Sequence, residues 1–244
     1  MGSLHQHLPQ EPFKITDVYY MGAAPDATDE DVKALADARL THLQSVTFHN
    51  QPLLTAGSLA LLAEAYPDLK RLNIGGLTCW EIDGDSAGLV AEDVLPILLA
   101  FQKLESIRIQ IAQGNPDADS WAAGIAAMPS LKRVELEGSI TSSMLHHLAR
   151  LPQLEELVLA SVLLEDDVLE PVAEMNYLRE LTLFRTRKLT PVALKHLESA
   201  SQLSLVTIDL MDPKNGLPPE VSHHQLEAIA DNMPFCRCHS GWPR

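Results

Sequence analysis

Basic residues are scarce in this sequence. Its 244 residues carry 18 Lys and Arg against 33 Asp and Glu, a formal net charge of −15. Clustered cations are what grip a phosphate backbone, so this balance argues against nucleic acid as a partner. An anionic membrane surface is disfavoured for the same reason. Cysteine is scarce as well: Cys79, Cys236 and Cys238 form an odd, sparse set. That is no disulfide framework, and it fits a reducing compartment, so a cytoplasmic location is expected. No run of about 18 apolar residues is present, so no bilayer span is expected. Residues 1–10 lack an apolar stretch and include His5, His7 and Pro9, unlike a secretory signal. Met1-Gly2-Ser3 opens like a myristoylation site, but Gln6 stands where that motif needs Ser or Thr.

Aromatic residues make up only 5% of the chain, although hydrophobic residues reach 46%. The core must then be built from Leu, Ala, Ile and Val, which suits thin stacked layers. No P-loop and no G-x-G-x-x-G occurs. The ten histidines are scattered, with His146-His147 and His223-His224 in or near helical stretches. Cys236-x-Cys238-His239 has ligand-type residues but lacks the second half of a zinc site. Asp83, Asp85, Asp117 and Asp119 lack the twelve-residue loop and final Glu of an EF-hand. No cofactor, no metal and no catalytic residue is therefore expected.

What the chain has in abundance is one phrase, apolar-x-x-apolar-x-apolar. It begins at Leu43, Leu69, Leu104, Leu131, Leu154, Leu178 and Leu203, with spacings of 26, 35, 27, 23, 24 and 25 residues. Weaker copies are Ile15-x-x-Val18-x-Tyr20 and Phe235-x-x-Cys238-x-Ser240. Degenerate end copies are expected where a stack meets water. The alternation within the phrase predicts a short strand. Helical stretches follow at 58–66, 91–101 and 141–148. Thr141 is a good N-cap residue. Thr190-Pro191 places proline at the first helical position. Thr28 with Asp31 is a looser capping box. Pro67, Pro129, Pro152 and Pro234 stop helices shortly before the next strand. A strand, a turn and a helix in about 24 residues return the chain one layer along, by a right-handed crossover.

Five strong copies in register resemble a leucine-rich repeat protein over roughly residues 15–210. The phrases Leu154-Glu-Glu-Leu157-Val-Leu159 and Leu178-Arg-Glu-Leu181-Thr-Leu183, each with a helical continuation, are similar to bacterial and cysteine-type repeats. The resemblance implies an α/β leucine-rich repeat solenoid, a right-handed horseshoe with the parallel sheet on its concave face and helices on its convex face. Residues 1–14 read as an N-terminal extension and residues 15–244 as the repeat domain with degenerate caps. The common pattern places Asn, Cys or Thr three residues after the last strand apolar. Here that position holds Gln51, Leu77, Ala112, Ser139, Val162, Thr186 and Met211. A continuous Asn ladder is absent, so backbone groups in those turns need other partners.

The resemblance also implies non-catalytic protein–protein recognition through the concave sheet. Residues between the strand apolars face that surface. They bring Arg71, Arg108 and Arg133 into adjacent layers, followed by Glu135, Glu137 and Glu156. Arg133 is near enough in register to pair with Glu156. The alternatives are a solvated face paired within itself and a charged binding strip. The strip includes His49, Asn73 and Glu180, with Tyr19 and Phe184 as apolar anchors. Longer segments at 78–90 and 111–120 leave from the same strand end, where Trp80 and Trp121 pack as rim contacts or as core plugs. The expected partner is a protein, of basic character if the negative field steers it. The alternatives are a scaffold subunit of a larger complex, or a bacterial effector or ligase-type substrate receptor.

Overall fold

In a computed structural model, residues 14–21, 26–49, 51, 53–75, 90–111, 115–161, 164–186, 189–208 and 237–240 are described. Among these residues nine strands pair in strict sequence order, every pair parallel. They are β1 Asp17–Met21, β2 Ser45–His49, β3 Arg71–Asn73, β4 Ser106–Ile111, β5 Arg133–Gly138, β6 Glu156–Ala160, β7 Glu180–Phe184, β8 Leu205–Ile208 and β9 Arg237–Ser240. Both weak copies are genuine strands. Val18 pairs with Val46 and Tyr20 with Phe48 at one end; Val206 pairs with Cys238 at the other.

The outer layer consists of α1 Asp29–Ala38, α2 Ala56–Ala65, α3 Ala91–Leu98, α4 Ala118–Ala126, α5 Ser142–Leu148 and α6 Pro191–Leu197, with a 3₁₀ helix at Asp166–Glu174. Thr55, Thr141 and Thr190 cap their helices by accepting the N–H of Gly57, Met144 and Val192 at 3.1, 3.2 and 3.1 Å. At Thr28 the Asp31 carboxylate accepts both the backbone N–H and the hydroxyl, each at 2.8 Å. The 3₁₀ segment departs from the α-helix expected in that repeat. Pro171 lies inside it. Proline has no N–H for an i−4 carbonyl and its ring crowds that carbonyl, which favours the tighter, longer-rise 3₁₀ turn.

Between the layers runs one apolar core. The first, fourth and sixth positions of each central phrase are buried, among them Leu104, Ile107, Ile109, Leu131, Val134 and Leu136, each at 0% exposure. Tyr20 stacks on Phe48, with centroids 5.2 Å apart. The Tyr66 hydroxyl donates to the Leu35 carbonyl at 2.6 Å and accepts the Leu40 N–H, tying α1 to α2. No helix among the described residues is long and apolar enough to cross a membrane.

A second device links successive layers. The Asp29 carboxylate accepts the Thr55 N–H at 3.0 Å and its hydroxyl at 2.7 Å, and also the Ser58 hydroxyl. Asp166 does the same for Thr190, and Asp119 accepts the Thr141 hydroxyl at 3.2 Å. Each acid stands in the first turn of one repeat and holds the helix cap of the next. The absent Asn ladder is replaced locally at Gln51. Its buried amide accepts the Ala27 N–H and donates to the His49 carbonyl. Thr186, at the equivalent position, is also buried.

Candidate functional site on the inner sheet

Strand alternation sends the residues between the buried apolars to the inner face. The third-position column runs Asp17, Ser45, Arg71, Ser106, Arg133, Glu156, Glu180, Leu205 in unbroken register. The fifth runs Tyr19, Thr47, Asn73, Arg108, Glu135, Val158, Thr182, Thr207. Both columns are those read from the phrase.

The three arginines do not form one strip. Arg71 reaches across Ser45 to Asp17, 2.9 Å away. Arg108 holds Glu135 at 3.1 Å and Glu137 at 3.0 Å. Arg133 pairs with Glu156, the contact expected from register, and with Glu135 at 3.4 Å. A residue not marked by the sequence completes the cluster: Arg185 lies 3.2 Å from the second oxygen of Glu137. Three guanidiniums and three carboxylates thus close into one balanced network. Arg185 follows β7 in left-handed backbone, φ 59°. That turn breaks strand alternation, which alone would have aimed it at the core, and lays its guanidinium 5.1 Å from the Phe184 ring centre.

The remaining positions divide. Tyr19 is 62% exposed on β1. Phe184 is half-buried beneath Arg185, so it is not the open anchor expected at that end. Glu180 is exposed, and His49 is half-buried at the end of β2. Asn73 turns back on its own chain and accepts the Gly75 N–H at 2.9 Å. Trp80 lies outside the described residues. Trp121 is fully buried in α4, a core residue rather than a rim contact. The third repeat's long segment is shorter than the 111–120 expected, because β4 runs to Ile111 and α4 starts at Ala118. Residues 84–88 spell Gly-Asp-Ser-Ala-Gly, the letters of a nucleophile elbow. They too lie outside the described residues. In that motif a tight turn joins strand directly to helix; among the described residues the nearest preceding strand, β3, ends at Asn73, eleven residues before Gly84.

Where the strands end and the helices begin, the rim is acidic. First helical turns carry Asp29, Glu30, Asp31, Glu92, Asp93, Asp119, Asp166 and Asp167, and no base. Acids there complement the helix macrodipole. The Thr16 hydroxyl and then the Arg71 guanidinium hold the Asp17 carboxyl below its ordinary range. At Asp29, burial pushes the carboxyl up, but donors from Ser58 and Thr55 outweigh it and the net shift is downward. The same rim holds an open cleft of about 390 Å³ at the ends of β4–β7, bounded by Glu137, Ser139, Ser161, Glu165, Asp167 and Arg185.

A parallel sheet whose strands repeat apolar-x-x-apolar-x-apolar, backed by a helical segment in successive repeats, is the architecture of leucine-rich repeat proteins, and this chain has that fold. No protein-family model matches the sequence, and no curated protein matches it. Solved structures do. A chain of the crystal structure of the Rad7 and Elc1 complex in yeast aligns with a TM-score of 0.50 at 17% identity, over 92% of this chain and 62% of that one. An internalin C2 from Listeria monocytogenes aligns with a TM-score of 0.45 at 14% identity, over 83% and 78%. A chain of the TLR13–ssRNA13 complex aligns with a TM-score of 0.43 at 13% identity, over 76% of this chain and 24% of its own length. This chain therefore spans about a quarter of the TLR13 chain and under two thirds of the yeast chain. At these identities the likeness concerns fold alone.

Proposed function

We propose that this protein is a non-catalytic protein-binding module that takes its partner on the inner sheet and on the rim at the strands' carboxyl ends. The observation behind this is the unbroken register of the outward columns across the sheet. Nine strands at about 4.8 Å spacing make a face about 38 Å long. Three columns wide, that approaches the roughly 800 Å² each partner contributes to a stable interface. Tyr19 and Glu180 offer exposed contacts, Arg71 a partly free guanidinium, and the paired Arg108, Arg133, Glu135 and Glu156 a fixed polar surface. The acid excess on the rim favours a partner of basic character.

The test reverses the two strip charges that stand outside the Arg108–Glu135–Glu137–Arg133 network. Wild-type chain and the R71E/E180K variant are used as baits on the same lysate, with melting temperatures compared. The expected result is loss of the captured protein with melting changed by a few degrees at most. Capture that survives this variant, and also survives charge reversal at Glu165 and Asp167 on the rim, would transfer binding to the helical face and overturn the reading. A stoichiometric, salt-resistant set of captured subunits would mark a scaffold component instead.

A further inference from the structure

We propose that the rim cleft beside β5 and β6 is a receptor for a guanidinium group carried by a protein partner, and that Arg185 is its internal, displaceable occupant. The proposal deepens the protein-binding reading and rests on it for the source of the ligand.

The cleft follows from register. Glu137, Ala160 and Phe184 are aligned on β5, β6 and β7. The small Ala160 leaves a trough between two large neighbours, and Gly138 and Ser161 continue it onto the rim. Gly138 is fixed there by its own backbone: at φ +101° a Cβ would stand 2.0 Å from the Ile111 carbonyl oxygen. Glu137 forms one wall, its side chain only 17% exposed. One of its oxygens is committed to Arg108 at 3.0 Å. The other accepts Arg185, which spans two strand spacings, about 10 Å, to reach it.

Several features mark that last contact as exchangeable. The Arg185 side chain is 57% exposed, whereas the carboxylate it holds is not. Its backbone sits in the left-handed region, unfavourable for a residue with a Cβ, so the contact is made against strain. The ion pair is also of the half-solvated kind that contributes little by itself. A guanidinium arriving from outside would find the same Glu137 oxygen that Arg185 uses, for a charge-assisted hydrogen bond. It would also meet Glu165 and Asp167 across the cleft, both exposed and without an ion pair among the described residues. Those two carboxylates are in excess over the balanced arginine–glutamate network, so the cleft retains attraction for a cation after its internal pairs are counted. Ser139 and Ser161 also line the cleft.

The test uses the full chain, isotope-labelled, with N-acetyl-arginine amide as the probe and its neutral isostere N-acetyl-citrulline amide as the control, followed by amide chemical shifts. The expected result is saturable change confined to residues such as Gly138, Ser139, Ser161, Glu165 and Asp167, with none from citrulline. Arg185→Ala should bind the probe about two- to fivefold more tightly, since the internal competitor is gone. Glu137→Gln should bind it roughly tenfold more weakly. Equal shifts from citrulline, non-saturating shifts spread over the acidic surface, or an R185A variant no tighter than wild type would each overturn the proposal. Should E137Q fail to fold, the exposed rim variant R185A decides alone. The probe needs no protein partner, so failure here leaves the bait experiment standing, and loss of the bait result leaves saturable probe binding standing.

Discussion

The inner sheet has two halves that share a backbone and differ in what they carry. Over β3–β5 the outward columns hold Arg71, Arg108, Arg133, Glu135 and Glu137, all engaged in ion pairs. Over β6 and β7 charge is confined to Glu156 and Glu180 in the third column; the fifth holds Val158 and Thr182 and the seventh Ala160 and Phe184, all uncharged. The inward columns of both halves are alike: Ile107, Val134, Leu157 and Leu181 are each at 0% exposure. A parallel sheet buried on one face is specified by its inward residues, because a one-residue slip would turn all of them to water. The outward residues are free of that constraint. In one half they are used to satisfy one another; in the other, Glu156 and Glu180 apart, they are uncharged.

That contrast can be tested, first on the face the halves share. Ile107→Ala in β4 and Leu157→Ala in β6 should each cost about 2–5 kcal/mol by urea unfolding, because both empty fully buried sites of the same layer type. A much larger cost in one half would mean the two cores are not equivalent. The outward face should then separate them. Glu135→Ala leaves Arg108 and Arg133 short of a carboxylate and should cost about 1–3 kcal/mol. Thr182→Ala, at the equivalent column two strands on, should stay within about 0.5 kcal/mol. Equal effects would dissolve the distinction.

The smallest effect concerns pH. Asp17, the partner of Arg71, has its carboxyl lowered by the Thr16 hydroxyl and the guanidinium. A group lowered on folding stabilises above its ordinary value of about 3.9 and loses that contribution as pH falls through the folded-state value. The stability gap between wild type and Asp17→Asn should therefore be present at neutral pH and close below about pH 4. The T182A gap should not change over that range, since no titrating group is removed. A D17N gap that persists at pH 2–3 would contradict the assignment of its cause.

Much of this was legible in the sequence because it depends on period. The spacing of Leu, Ile and Val assigns register, register assigns the columns, and the columns brought Arg133 against Glu156. What period cannot show is a change of backbone region or a reach across layers. Arg185 would face the core in ideal alternation and escapes it through a left-handed residue. Arg71 reaches past its register neighbour, over the short Ser45, to Asp17 two strands away. Phe184 is aromatic and outward-facing, but its cover comes from the residue next to it. Trp121 directly follows the segment 111–120 that reads as an insertion, and the helix that buries it begins inside that segment, at Ala118. Gln51 was a departure from the Asn pattern by name only, since its longer amide still bonds backbone groups of the turns.

The central claim is that both halves of the inner sheet belong to one contact surface. The most direct measurement is the affinity of the captured partner for wild type, for Arg71→Glu in the first half and for Thr182→Arg in the second, each checked for unchanged melting. A continuous surface predicts that both variants weaken binding about tenfold or more. Unchanged affinity in both would contradict the account.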